Sequence, residues 1–189
     1  MEPKKMMRDV YDMFILQSTS KGLKLTIEIA PNVPQIVISD ERRLKQVIIN
    51  LLSNSLKFTN EGSITIEVEF DTDTNKLFFS IIDTGIGIRK VDQVKLFKMF
   101  GKLQSSQNCN QQGIGLGLSV CKRIINVFQG DLNVTSELTK GSKFSFSFTV
   151  TGYTMKKAES RSGTPQRENE LPPIEEQPEV PEGSDDRSE

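Results

Sequence analysis

The sequence predicts an α+β fold, a two-layer α/β sandwich in which helices cover one face of a mixed, mostly antiparallel sheet. Two observations carry this expectation. Several short stretches alternate apolar and polar residues with the period of a half-buried strand, as in "SITIEVEF" with Ile64, Ile66, Val68 and Phe70. These stretches mix with helical ones without the strict strand–helix–strand alternation of a parallel sheet.

Taken in order, residues 6–20 have helical spacing, with Val10, Phe14 and Met13 on the apolar side. "GLKLTIEIAP" alternates Leu23, Leu25, Ile27 and Ile29 as a strand, and "PQIVISD" offers a second, shorter one. Asp40 stands where an N-cap would, ahead of a long helix that "NEG" at Asn60 to Gly62 ends. "SITIEVEF" and the continuous apolar run "KLFFSII", joined by "TDTN", predict a hairpin whose second strand is central. After "DTGIGI" come a short helix over 91–97, a polar stretch "GKLQSSQNCNQQ" with little to bury, and a helix over about 116–128 ended by Gly130. Two final strands are "DLNVTSEL" and "SKFSFSFTV", where Phe144, Phe146 and Phe148 alternate with serines.

Composition divides the chain. All eleven phenylalanines occur by Phe148, whereas five of the eight prolines follow Thr164. From Met155 onward there are five basic and ten acidic side chains and no aromatic. Such a segment cannot bury enough apolar surface to offset its ordering entropy and is expected to be disordered. The preceding 154 residues hold nineteen basic and fifteen acidic side chains, a mild excess that suits a pocket for a small polyanion at least as well as nucleic acid. Cys109 and Cys121 lack metal-site spacing, no apolar run approaches the ~20 residues of a membrane span, and the start has no signal-peptide core. A reducing, cytoplasmic setting is expected. The absence of histidine excludes histidine triads, histidine metal ligands and a histidine phosphoacceptor within these residues.

Three stretches invite chemistry. On the long helix, Arg43, Gln46, Asn50, Asn54 and Lys57 fall within one stripe, opposite Leu44, Val47, Ile48, Leu51 and Leu52. Asparagine is a mediocre helix former because its amide competes for backbone groups, so two on one face suggest an outside demand, although a solvent-facing polar stripe would look the same. Asp83 leaves the central strand beside Gly85 and Gly87, which fits either a turn or a carboxylate facing a ligand that approaches the backbone closely. Gly113, Gly115 and Gly117 open the last helix, as a hinge or as a phosphate-binding turn with unpaired amide groups. No Lys-Ser/Thr follows, so it is not a Walker-type loop.

In combination, "DERRLKQVIINLLSNSLKFTNEG", "DTGIGI", "LFKMFGKL", "GIGLGLSV" and "TKGSKFSFSF" resemble, over about residues 21–150, the catalytic domain of sensor histidine kinases, within the superfamily that also holds gyrase, the heat-shock chaperones and MutL. The resemblance implies binding of ATP and magnesium beneath a flexible ATP lid. It implies Asn54 as the magnesium ligand, Asn50 beside the phosphates, Lys57 on phosphate, and Asp83 accepting from the adenine amino group with Gly85 and Gly87 making room for the base. Phe97 and Phe100 would anchor the lid. Lys102 stands where many relatives have a phosphate-contacting arginine, keeping the charge but losing the bidentate fork. Gly113, Gly115, Gly117 and Leu118 would line the phosphate end. ATP-hydrolysing relatives have glutamate where this chain has Asn50; asparagine cannot activate water as a base, which suits a kinase. Asn50 and Lys57 are therefore the expected catalytic residues.

The same resemblance sets the expected organisation: residues 1–20 as the end of a dimerisation helix or a linker, 21–152 as the ATP-binding domain and 153–189 as a disordered acidic, proline-rich tail. The expected partners are a histidine-containing dimerisation domain and a receiver domain. Homodimerisation is expected only in the full-length protein, with no nucleic acid and no membrane contact by this segment, even where the full-length protein is membrane-attached. The alternatives are a nucleotide-binding pseudokinase or scaffold and a clamp-type ATPase. Residues 101–112 are expected to be mobile without ligand, on the grounds that only Leu103 and Cys109 there could be buried.

Overall fold

A computed structural model describes residues 1–97 and 117–155. Asp40 does cap its helix: its Oδ1 accepts from the Arg43 amide at 3.0 Å, and helix α2 runs from Glu41–Phe58. Such a cap is worth about 1 kcal/mol. The strands are β1 (Lys24–Ile29), β2 (Ile36–Val37), β3 (Ser63–Asp71), β4 (Lys76–Asp83), β5 (Asp131–Glu137), β6 (Gly141–Thr149) and β7 (Tyr153–Thr154). The remaining helices are α1 (Pro3–Ser20), α3 (Lys90–Gln93) and α4 (Gly117–Val127).

Five strands form one sheet in the order β1-β3-β4-β6-β5, with only the β1–β3 pair parallel. The expected α+β sandwich with a mixed, mostly antiparallel sheet is therefore correct, and β4 lies at its centre. Alternation assigns the faces. Ile64, Ile66, Val68 and Phe70 of β3, Leu77, Phe79 and Ile81 of β4, and Phe144, Phe146 and Phe148 of β6 are buried on the helix-covered side. Against them α2 buries Leu44, Val47, Ile48, Leu51, Leu52 and Leu56. The other face is polar or half-buried, where Lys143 of β6 pairs with Glu67 of β3 at 2.9 Å. Phe78 and Ile82 are half-buried there, so the continuous apolar run of β4 has one core face, not two.

The helix at the start of the chain packs into the same core. Met6, Met7, Val10 and Phe14 of α1 are buried, and the helix contacts β1 and α2. Met13 is a correction: it is 58% exposed, because Met6 and Met7 complete the buried stripe and Met13 falls on its flank. The helix expected over 91–97 is also shorter, since α3 ends at Gln93 and turns follow. Finally, Tyr153 and Thr154, placed at the start of the tail, form β7 and pair with Val37 and Ile36. A two-residue strand has too little periodicity to be read from sequence.

Candidate functional site

Register delivers Asp83 to one end of the sheet, opposite Ile64 of β3 on one side and Ser142 of β6 on the other. Asp83 is buried, 6% exposed. Its Oδ2 accepts from Ser55 Oγ of α2 at 3.1 Å and its Oδ1 from the Gly85 amide at 3.0 Å. Burial pushes its pKa up from the ordinary carboxylate value, and hydrogen bonds from the Gly85 amide, Ser55 and the Ser142 amide offset part of that rise.

The loop after Asp83 is pressed onto the C-terminal end of α2. The Ile86 amide donates to the Phe58 carbonyl at 3.1 Å, and a Cβ on Gly85 would stand 2.5 Å from that carbonyl oxygen and 2.9 Å from Thr59 Oγ1. Gly87 has φ +67 and lies against the backbone of Glu137 and Leu138. Both glycines are thus demanded by the protein's own packing, which is a reason for them apart from room for a ligand. Thr59 Oγ1, beside Gly85, is buried without a hydrogen-bond partner among the described residues. Such a hydroxyl favours a polar group reaching it from outside the protein.

Along α2 the Asn54 amide nitrogen donates to Asn50 Oδ1 at 3.4 Å, which turns the Asn54 carbonyl oxygen away from its neighbour. Asn50 in turn touches the first residue of α4: a Cβ on Gly117 would stand 2.5 Å from Asn50 Oδ1 and 2.7 Å from its nitrogen. Substituting Gly117 by alanine is therefore expected to displace Asn50 or the start of α4, and chemical-shift changes spreading to Asn54 would report it. Cys121, one turn into α4, faces Val47 of α2 and is fully buried, which pushes its thiol up to about 12 and leaves it a packing residue. Leu118 is half-buried against the core, as is Phe97. Lys57 is half-exposed, with its ammonium 5.4 Å from the Phe58 ring centroid.

Asn50, Asn54 and Gly117 are therefore brought together, and Asp83 is tied to the same helix through Ser55. A groove over α2 is lined by Arg43, Gln46, Asn50, Ser53 and Asn54. Phe100, Lys102, Gly113 and Gly115, and the expectation of mobility over 101–112, lie outside the described residues. Ser55, Thr59 and Ser142 were missed as site residues. For Ser55 and Ser142 the available signal was a hydroxyl on the buried side of an amphipathic helix or strand, where a polar group needs a partner; Thr59, just past the end of α2, gave no such signal.

A half-open sandwich whose central strand ends in a buried carboxylate, facing an asparagine-bearing helix and the glycine start of a second helix, belongs to the class of nucleotide-binding α/β sandwich domains. Residues 39–152 match the family model described as histidine kinase-, DNA gyrase B-, and HSP90-like ATPase, and the chain belongs to that family. It is 48% identical over 129 residues to hybrid signal transduction histidine kinase B of Dictyostelium discoideum, covering 67% of this chain and 7% of that protein. It is 38% identical over 137 residues to the aerobic respiration control sensor protein ArcB of Escherichia coli (strain K12), covering 72% of this chain and 18% of that one. Among solved structures, full-length ShkA in complex with AMPPNP superimposes with a TM-score of 0.73 at 25% identity, covering 82% of this chain and 31% of that chain. The chain thus spans less than a fifth of the curated relatives it matches here. No helix among the described residues is long and apolar enough to cross a membrane.

Proposed function

We propose that this domain binds ATP with magnesium and supplies the γ-phosphate to a histidine on a separate domain, as the catalytic part of a sensor histidine kinase. The observation that carries the reading is the buried Asp83 carboxylate, held by Ser55 and Gly85 and flanked by the Thr59 hydroxyl, which has no hydrogen-bond partner among the described residues. A carboxylate so placed accepts from the amino group of an adenine, and Gly85 and Gly87 keep the loop close to the base. Lys57 and Asn50 meet the phosphates, with Lys102, Gly113, Gly115, Gly117 and Leu118 closing that end and Phe97 and Phe100 anchoring the lid.

The residues present suit magnesium. A hard cation takes oxygen ligands, keeps several waters and binds through one or two protein groups plus substrate phosphates. Asn54 offers a carbonyl oxygen on a rigid helix without adding negative charge, and no cluster of three or more acidic, cysteine or histidine side chains that would make an all-protein cage occurs among the described residues. Bound there, magnesium would neutralise phosphate charge. The domain's own share is positioning: Asp83 fixes the base, the α2 stripe fixes the phosphates, and Asn50, lacking a basic group, leaves water unactivated.

These 189 residues hold no histidine, so the acceptor lies outside them. We assign that role to a histidine-bearing dimerisation domain, with α1 as the end of its connecting helix, and a receiver domain beyond the acidic, proline-rich residues as the next acceptor. Those residues read as a tail, 21–152 as the catalytic unit onto whose core α1 packs through Met6, Met7, Val10 and Phe14, and dimerisation as a property of the full-length protein in the cytoplasm.

Calorimetric titration with ADP and AMPPNP, each with and without magnesium, tests the reading. Magnesium-linked binding is expected, and Asn54→Ala should reduce that linkage while leaving magnesium-free binding intact. Absence of binding at millimolar nucleotide would discard the assignment, and vigorous hydrolysis of ATP with no histidine domain present would replace the kinase by an ATPase.

A further inference from the structure

The polar stripe of α2 does not stop at Asn50. It continues toward the helix N-terminus through Gln46 and Arg43, and these two side chains line the same groove as Asn50 and Asn54. At 100° per residue, Arg43 lies within about 20° of Asn50 and Gln46 within about 40°, so all four face one way. Arg43 sits roughly 10 Å beyond Asn50 along the axis, at 1.5 Å per residue. Its guanidinium is drawn back over part of that distance, because Nη1 donates to Gln46 Oε1 at 3.3 Å, one turn from Asn50.

Charge separates Arg43 from its neighbours. Lys45, which also borders the groove, is neutralised by Asp9 at 2.9 Å and Glu41 at 3.4 Å. Arg42 and Asp40 also border the groove, but Arg42 lies about 80° from Asn50 around the helix, off the stripe, and Asp40 Oδ1 accepts from the Arg43 backbone amide at 3.0 Å, not from its guanidinium. Arg43 is oriented by a neutral amide and forms no ion pair with a carboxylate among the described residues. A planar guanidinium held without neutralisation is suited to an oxyanion, which it can grip with two parallel hydrogen bonds.

The base end of the site lies at Asp83 and Ser55, near the C-terminal end of α2, and Asn54 and Asn50 succeed one another toward the N-terminus. A phosphate chain following that line points its last phosphate past Asn50. We propose that Arg43, positioned by Gln46, binds the terminal phosphate of a nucleoside triphosphate and so distinguishes ATP from ADP. This inference rests on the nucleotide reading above and adds a residue that senses one phosphate.

The test is the affinity of the folded domain for ADP and for AMPPNP in magnesium, measured calorimetrically for the wild type, Arg43→Ala, Arg43→Lys and Gln46→Ala. Arg43→Ala is expected to weaken AMPPNP about tenfold or more, the scale of one charge-assisted hydrogen-bonded contact, while ADP changes less than about twofold. Arg43→Lys should recover part of the loss, since it restores the charge without the fork. Gln46→Ala should shift AMPPNP in the same direction by less. Equal weakening of both nucleotides, or no change in either, would overturn the role of Arg43 while leaving the pocket standing. Failure of the wild type to bind ADP would remove the pocket and this inference together. Unchanged thermal unfolding midpoints separate these outcomes from loss of fold.

Discussion

Asp83→Asn is expected to weaken adenine nucleotide binding by about 1–3 kcal/mol, the cost of losing a buried charge-assisted partner, while the fold stays as stable or becomes more so. Both halves follow from the surroundings of the carboxylate. An asparagine has the same shape, its oxygen can still accept from the Gly85 amide, and its nitrogen can donate to the Ser55 hydroxyl, which accepts as readily as it donates. The pKa of Asp83 is raised by burial, so the folded state prefers the neutral form. For a group raised in the folded state, the associated stabilisation is complete below the unfolded pKa and is lost as pH rises through the folded one. At neutral pH the ionised carboxylate is therefore a net cost to folding. The neutral amide removes that cost, and the gap between variant and wild type should shrink as pH falls through the carboxylate range.

Binding behaves in the opposite sense. An amino group on the ligand needs an acceptor, and the amide presents a donor where Oδ2 stood. Titration with ADP beside denaturant unfolding at two pH values reads both effects. An affinity unchanged by Asp83→Asn would remove Asp83 as the acceptor, whereas a lost affinity accompanied by a large fall in stability would make the residue structural.

Much of this arrangement is legible in the sequence, and the reasons differ by element. Long periodic stretches declared themselves: the apolar side of α2 and the alternation of β3 and β6 are buried as the pattern required. The carboxylate at the end of β4 is visible as a charge closing an apolar run beside two glycines, a pattern a plain turn fits as well, and only the company of the other motifs singles it out. What escaped depended on contacts between distant residues. The Ser55 hydroxyl meets Asp83 across 28 positions; its place on the apolar side of α2 calls for a partner, but nothing local says which one. Likewise β7 exists only because Tyr153 and Thr154 meet β2, more than a hundred residues earlier, with the Tyr153 ring also packing against Phe70 at 4.9 Å between centroids. The sequence presents Gly117 as a hinge or a phosphate-binding turn; its contact with Asn50 shows a third demand, close approach of two helices.

The largest loss of stability is expected from Phe79→Ala, about 3–5 kcal/mol, the usual range for emptying an aromatic site in a core. Phe79 is fully buried on β4, four residues before Asp83, and stacks on Phe146 with ring centroids 4.9 Å apart. Beneath α2 and flanked by strands on both sides, the site has little freedom to collapse into the space left. Phe78→Ala is the control within the same strand. That ring is half-buried on the polar face of the sheet, so its loss should cost markedly less. Chemical unfolding should show the midpoint falling for Phe79→Ala with the slope unchanged, since the same surface is exposed on unfolding. With total stability of order 5–15 kcal/mol, the variant should sit near its limit and regain about 2.7 kcal/mol from ligand at a hundred times its dissociation constant. Equal losses at positions 78 and 79 would contradict a sheet with one core face. A Phe79→Ala protein that nucleotide cannot rescue would show that β4 no longer holds Asp83 where Ser55 and Gly85 meet it.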